Sequence, residues 1–216
     1  FQSAIAQYGR ETIIPLNYAG PHGMLAGGSM DLRFFHNLGA TVLSRRPLCG
    51  GIKSEAWAGT FGAIAGVQMT DLESSDLIVV WGNNVSYSNL HLSPVLQRLR
   101  DRGGKVVVVD PKRIKVAEQA DLHLGLRPGT DVVLAFALAA ELERRGAFDQ
   151  EFIYRMVEGA EAFMAQARQF GIERAAEITG LAANEIKQLA SCYQEAEAAT
   201  VAIGNGLERN RNGGAG

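Results

Sequence analysis

Two cysteines in 216 residues, Cys49 and Cys192, are too few for a disulfide framework and cannot hold an iron–sulfur cluster by themselves. There is no Lys/Arg-rich run, and a formal charge of −2 gives no electrostatic case for a nucleic-acid partner. No apolar stretch approaches the roughly 20 residues of a membrane span. His22, His36, His91 and His123 stand at no metal-ligand spacing and read as structural or solvated. G-x-G-x-x-G is missing too, which removes the ordinary dinucleotide fingerprint. The chain starts at Phe1 without an initiator Met and ends in Arg211-Asn-Gly-Gly-Ala-Gly216. It therefore reads as a piece of a longer protein, missing targeting signals carry no weight, and the compartment, cytoplasmic or periplasmic, stays open.

What is present describes a globular α/β chain. Hydrophobic residues make up 47% and charged residues 20%, and the length suffices for one large domain, or a domain with a subdomain, around a substantial core. The most informative stretch is Asp76-Leu-Ile-Val-Val-Trp-Gly-Asn-Asn84. Its apolar run, with Val79 and Val80 β-branched, predicts a strand buried on both faces that stops at Gly82 and two asparagines. Lys105-Val-Val-Val-Val-Asp110 repeats the pattern, and Ala120-Asp-Leu-His-Leu-Gly-Leu126 predicts a third strand. Helices are expected over 94–102, closed by Gly103-Gly104, and over 132–145, where Arg144 and Arg145 complement the C-terminal end of the dipole. Four more helices follow from Asp149 to Ala196, then a last strand, Thr200–Ile203, ending at Gly204-Asn-Gly206.

Before residue 71 the pattern is looser. The tail of a helix to Gly9, a short edge strand around Thr12–Asn17 with Pro15, a helix over 28–38, a loop over 41–54 and a small-residue helix over 56–64 are predicted. Gly59 and Gly62 in the last suggest close approach of another backbone. Strands alternating with helices imply a doubly wound, mainly parallel sheet, Rossmann-like, with a helical segment towards the C-terminus. The expected organisation is a loop- and helix-rich portion over 1–70, a core βαβ part over 71–146, and a helical part with the last strand over 147–216.

Open α/β sheets bind ligands at the C-terminal ends of their strands, and three motifs fall there. Trp81-Gly82-Asn83-Asn84, with Ser86 and Ser88, offers a glycine beside amide and hydroxyl donors suited to a pyrophosphate. Asp110-Pro111-Lys112-Arg113 offers a carboxylate for a ribose and two cations for phosphate. Pro128-Gly129-Thr130-Asp131 places a carboxylate at a helix start, where it can accept from a purine's amino and ring N–H groups. Each has a plain alternative: Asp131 as a helix cap or first-turn charge, Asp110 as a turn residue, Gly82-Asn83-Asn84 as an ordinary strand exit. Cys192 shares a helical apolar face with Leu189 and reads as core. Cys49 lies in a loop behind Arg45 and Arg46 and before two glycines, which leaves either an approachable thiolate or an inert buried thiol.

Taken together, Leu77-Ile-Val-Val-Trp-Gly-Asn-Asn84, Gly104-Lys-Val-Val-Val-Val-Asp-Pro111, Ala120-Asp-Leu-His-Leu, Leu126-Arg-Pro-Gly-Thr-Asp131, Phe152-Ile with Gly159, Ile178-Thr-Gly-Leu181 and Gly204-Asn-Gly206 resemble the molybdopterin oxidoreductase family, also called the dimethyl sulfoxide reductase family. The similarity covers nearly the whole chain. It implies a bis(molybdopterin guanine dinucleotide) cofactor carrying molybdenum or tungsten, with this chain as the central region that holds one guanine dinucleotide. On that resemblance Trp81 to Ser88 would line the pyrophosphate and pterin side. Asp110, Pro111, Lys112 and Arg113 would meet ribose and phosphate, and Gly129, Thr130 and Asp131 would read guanine. Cys49 would fill the family's metal-ligand position. Formate-oxidising members often have His after that ligand, and here Gly50 follows.

The resemblance also implies what lies outside this chain: a cysteine-rich N-terminal segment with a 4Fe–4S cluster and a C-terminal cofactor-binding domain. A small-molecule substrate, the rest of the same polypeptide, and iron–sulfur or membrane-anchor electron-transfer subunits are the partners it implies, with oxidoreductase chemistry requiring the whole. Two other readings stand beside it: a cofactor-free structural relative, as in the large iron–sulfur subunit of NADH dehydrogenase, and the middle domain of a thiamine-diphosphate enzyme.

Overall fold

In the computed structural model, which describes residues 1–16, 30–43, 50–64 and 66–216, the chain divides into two compact units, Phe1–Ile52 and Lys53–Gly216. The first holds helices α1 (Gln2–Tyr8) and α2 (Met30–Leu38). The strand expected around Pro15 is not formed: Ile13 to Leu16 run without strand pairing after a 3-10 turn, and Asn17 lies outside the described residues. Pro15 has no N–H to give a ladder, which accounts for the failure. Helix α3 (Gly51–Phe61) starts five residues earlier than periodicity suggested. Among the described residues, nothing lies within 4 Å of a Cβ built at Gly59 or Gly62, so the close backbone approach expected there is not seen among them.

The second unit is built on a four-stranded sheet in the order β3-β2-β1-β4, comprising β1 (Leu77–Trp81), β2 (Lys105–Val109), β3 (Leu122–Leu124) and β4 (Ala199–Ile203). Every pairing is parallel. Each strand's side chains alternate between faces. Leu77, Val79, Trp81, Val107, Val109 and Leu124 therefore enter one core, with α6 (Asp131–Arg144), α9 (Ile172–Thr179) and α10 (Ala183–Glu195). Ile78, Val80, Val106 and Val108 enter the other, with α5 (Leu92–Asp101). Between β1 and α5 lies one short turn of helix, α4 (Val85–Ser88), and α7 (Gln150–Met156) and α8 (Ala160–Ala167) link α6 to α9. The doubly wound α/β expectation is met, with helices on both faces of a wholly parallel sheet. Cys192 packs half-buried against the first core, and burial pushes its thiol pKa up, as suits an inert position.

Two charge clusters fix the assembly. Asp76 accepts from the backbone N–H groups of Glu197 (2.8 Å) and Ala198 (3.0 Å), and those bonds lower its pKa. They tie the start of β4 to the start of β1, 121 residues earlier. On α6 the buried Glu141 accepts from Arg144 Nε and Nη2 (2.8 and 2.7 Å) and from Arg145 Nε (2.8 Å). Arg145 also donates to Ser191 Oγ at 2.9 Å and Lys187 O at 3.1 Å, fastening α6 to α10.

Bonds from Arg144 first and Arg145 second hold the Glu141 carboxyl down at about 2. A depressed carboxyl stabilises the fold above its unfolded value near 4.5, and that contribution fades as pH falls from there towards 2. Glu141→Gln should cost about 3 kcal/mol at neutral pH and flatten the fall in stability between those values, measured by urea unfolding at pH 7 and pH 3. An unchanged acid limb would remove Glu141 from the account.

Candidate functional site

Because all four strands are parallel, their exits lie on one edge of the sheet. The chain runs outward from β1 through β2 to β3, then returns across the sheet to place β4 on β1's other side. Neighbouring connections therefore diverge between β1 and β4, the position where open α/β sheets form a ligand crevice. A cleft of about 430 Å³ is found there, lined by Gly82, Asn83, Asn84, Ser88, Gly204, Asn205, Gly206 and Arg209 among others.

Its floor is backbone packed on backbone. Gly204 N–H donates to Trp81 O (2.8 Å), and Gly206 N–H donates to Gly82 O (3.1 Å). A Cβ on Gly204 would fall 2.2 Å from Gly82 O and 2.5 Å from Asn83 Cα. Gly82 itself has φ +56°, and a Cβ on it would meet Leu207 Cδ1 at 2.7 Å. Only glycines satisfy these contacts. Gly82 was expected to clear space for a pyrophosphate; the space it clears is taken by the β4 exit.

Asn83 is buried, and Asn84 Oδ1 is buried without a hydrogen-bond partner. An unsatisfied amide oxygen of this kind costs about 1–3 kcal/mol until a donor reaches it. Ser88 Oγ donates to Asn84 O at 3.0 Å and so stiffens the turn. Ser86 goes elsewhere: the short helix α4 turns it into a separate groove with Gln97, Arg100 and Lys115.

The exits of β2 and β3 stand beside this cleft. Asp110 Oδ1 accepts from Lys112 N (2.8 Å), an Asx-type turn, and Asp110 O bonds His123 Nε2 at 2.9 Å. Pro111, Lys112 and Arg113 are exposed, and among the described residues no ion pair engages either cation. In the third motif Gly129 has φ +83° and faces Asn210, which donates to Gly206 O at 3.1 Å. Thr130 donates to Arg127 O, and Asp131 Oδ1 accepts from Trp81 Nε1 at 2.8 Å. The first and third motifs are thus in direct contact, and the third also meets the β4 exit.

The sequence marks Gly204-Asn-Gly206 as a strand exit and as one of the family-like motifs, but not as a wall of the site. Sequence reasoning also missed Lys53 and Glu208. Glu208 is buried; its Oε2 accepts from Lys53 N (3.0 Å), while Lys53 Nζ donates to Asn205 Oδ1 (2.8 Å). Together they pin α3 to the β4 exit, beside a cavity of about 250 Å³ lined by Trp57, Phe61, Leu207 and Glu208 among others. Cys49 lies outside the described residues. Among those described, no three His, Cys, Asp or Glu side chains gather closely enough to hold a metal ion, and no helix is long and apolar enough to cross a membrane.

Comparison with known proteins matches residues 16–215 to the molybdopterin oxidoreductase family model. The chain is 31% identical over 214 residues to probable oxidoreductase YoaE of Bacillus subtilis (strain 168), covering 99% of this chain and 31% of that protein. It is 28% identical over 139 residues to formate dehydrogenase H of Escherichia coli (strain K12), covering 64% and 19%. The structure superposes on acetylene hydratase from Pelobacter acetylenicus with a TM-score of 0.78 and 26% identity, covering 99% of this chain and 29% of that one. The chain spans less than a third of the length of each of these relatives.

The glycine floor sets a sharp contrast. Gly204→Ala should cost about 2–3 kcal/mol, because backbone atoms of Gly82 and Asn83 block the new methyl and have little room to yield. Gly59→Ala, in the open on α3, should be neutral or stabilise by up to about 1 kcal/mol. Thermal unfolding of both variants checks this, and equal melting points would dismiss the floor as a constraint.

Proposed function

Because the chain belongs to the molybdopterin oxidoreductase family, we propose that the edge of its sheet holds one guanine dinucleotide arm of a bis(molybdopterin guanine dinucleotide) cofactor carrying molybdenum or tungsten. The observation that carries this reading is the cleft at the β1/β4 switch point, with the other two exits beside it on the same edge.

The residues present fit such a group. Asn84 offers a buried oxygen in want of a donor, which a ribose hydroxyl or a ring N–H supplies. Lys112 and Arg113 stand exposed at the adjacent exit and would neutralise the diphosphate. Asp110 spends Oδ1 on its own turn, which leaves Oδ2 to accept from ribose. Asp131, held at one oxygen by Trp81, has the acceptors needed for a guanine's adjacent N–H groups. The glycine turns let the two exits pack backbone on backbone, and a bulky anion would lie against that packed floor. Cys49, ahead of α3 in the sequence, would be the thiolate ligand to the metal, a role that rests on the family resemblance.

When bound, the metal supplies two-electron oxygen-atom or hydride-equivalent exchange with a small substrate. This chain binds and orients the cofactor. An iron–sulfur cluster in another segment of the protein, with electron-transfer subunits, would complete the electron path, and the region described here would not turn over substrate alone.

Metal analysis and pterin fluorescence of the full-length protein, expressed in a molybdenum- and tungsten-replete host, test the reading. It requires stoichiometric metal and pterin, and their absence would favour the cofactor-free relative instead. Asn84→Leu should lower cofactor retention several-fold while leaving the melting temperature of the cofactor-free protein within a few degrees. If that variant unfolds, Asn84 is a structural residue.

A further inference from the structure

Trp81 was expected among the residues that line the cofactor, yet only 6% of its surface is exposed. It ends β1, pinned in register between Val109 and Ile203, and its ring belongs to the core beneath α6. Its one polar atom, Nε1, donates to Asp131 Oδ1 at 2.8 Å. Trp81 is therefore turned away from direct ligand contact and towards the carboxylate.

The start of α6 explains why that bond matters. The side chain before a helix ordinarily accepts from the first-turn N–H groups, which lack intrahelical partners, and a carboxylate one residue later is drawn towards the same positive end. Here Thr130, the preceding residue, makes no side-chain cap bond and donates its hydroxyl to Arg127 O at 2.7 Å. The described hydrogen bond of the Asp131 carboxylate is the one from the indole, so Asp131 is a first-turn charge of α6, as one of its plain alternatives had it, and not the cap. The indole holds the carboxylate away from its local partners.

We propose that Trp81 is the positioning residue for base selectivity at this site: its N–H fixes the Asp131 carboxylate in the orientation that accepts two neighbouring N–H donors from a guanine-type edge. The proposal rests on the reading of Asp131 as the purine contact. Oδ1 keeps a lone pair after accepting from the indole, and Oδ2 keeps both, enough for the ring N–H and the exocyclic amine of guanine. Adenine can donate only through its exocyclic amine, and its ring acceptor sets a lone pair against the second carboxylate oxygen. A strand-end aromatic paired on both sides is a rigid support, and such rigidity is what a selective contact requires. Without the N–H, the carboxylate is free to swing to the first turn of α6, where it serves the helix and no longer the base.

The test uses the full-length protein produced cofactor-free, with GDP and ADP as probes in calorimetric titrations. The native protein should prefer GDP. Trp81→Phe, which keeps an aromatic ring in the core, should cut the GDP-to-ADP affinity ratio about tenfold, equivalent to ~1.4 kcal/mol, with ADP affinity unchanged. A purely structural role for Trp81 would weaken both nucleotides together. Because loss of ring volume can itself destabilise, 3-benzothienylalanine at position 81 provides an isostere that lacks only the N–H, and it should reproduce the lost selectivity at native melting temperature. If the native protein prefers GDP and both variants keep that preference, the positioning role is overturned. If the native protein shows no preference, the reading of Asp131 fails and takes this proposal with it.

Discussion

Everything at the candidate site depends on two strand exits touching through bare backbone. The Gly204 and Gly206 N–H groups donate to Trp81 O and Gly82 O, and the atoms around Gly82 and Gly204 leave no room for a Cβ on either. This closeness carries the contact between the two chain segments past their last paired residues, Trp81 and Ile203, so that the two turns form one floor. It also decides where the cleft opens. With no side chains to fill the space above the floor, the residues that reach it are those on the flanks, Asn83 and Asn84 on one side and Asn205 and Arg209 on the other.

Rigidity beneath the floor comes from the layers. Nine of the ten residues of β1 and β2 are buried, all but Lys105, and a parallel sheet covered on both faces has little freedom to shift register. The Asp76 carboxylate locks the far end of β4, and the Glu141–Arg145 cluster locks α10 against α6. Through Trp81, the end of β1 reaches the first residue of α6. A long helix is in this way tied to the sheet edge by a hydrogen bond between side chains, and the two carboxylates proposed to meet a nucleoside, Asp110 and Asp131, stand at separate points of one rigid frame.

Much of this was legible in the residues. Runs such as Val106–Val109 have one stable home, a buried parallel strand, and the Gly, Asn and Asp-Pro exits mark where each stops. Three walls of the site followed from that local chemistry. The fourth did not, because Gly204-Asn-Gly206 becomes a wall only when the chain returns across the sheet to β1, and no local pattern encodes that crossing. The start of α3 was missed for a related reason: Gly50-Gly51 reads as loop, whereas Lys53 N is satisfied by Glu208, 155 residues away. Ser86 was misplaced because a single turn of helix rotates it off the cleft. The pairing of Trp81 with Asp131 spans 50 residues and gives no periodic signal. Family resemblance drew attention to both residues and left their contact unseen.

The central claim is that one nucleotide arm lies across all four strand exits. Hydrogen–deuterium exchange of the full-length protein, with and without its cofactor, tests that most directly. Slowed exchange on cofactor binding is expected at 82–84, 112–113, 129–131 and 204–206, with α7 and α8 unaffected. Protection absent from these turns, or confined to the helices beyond α6, would contradict the account.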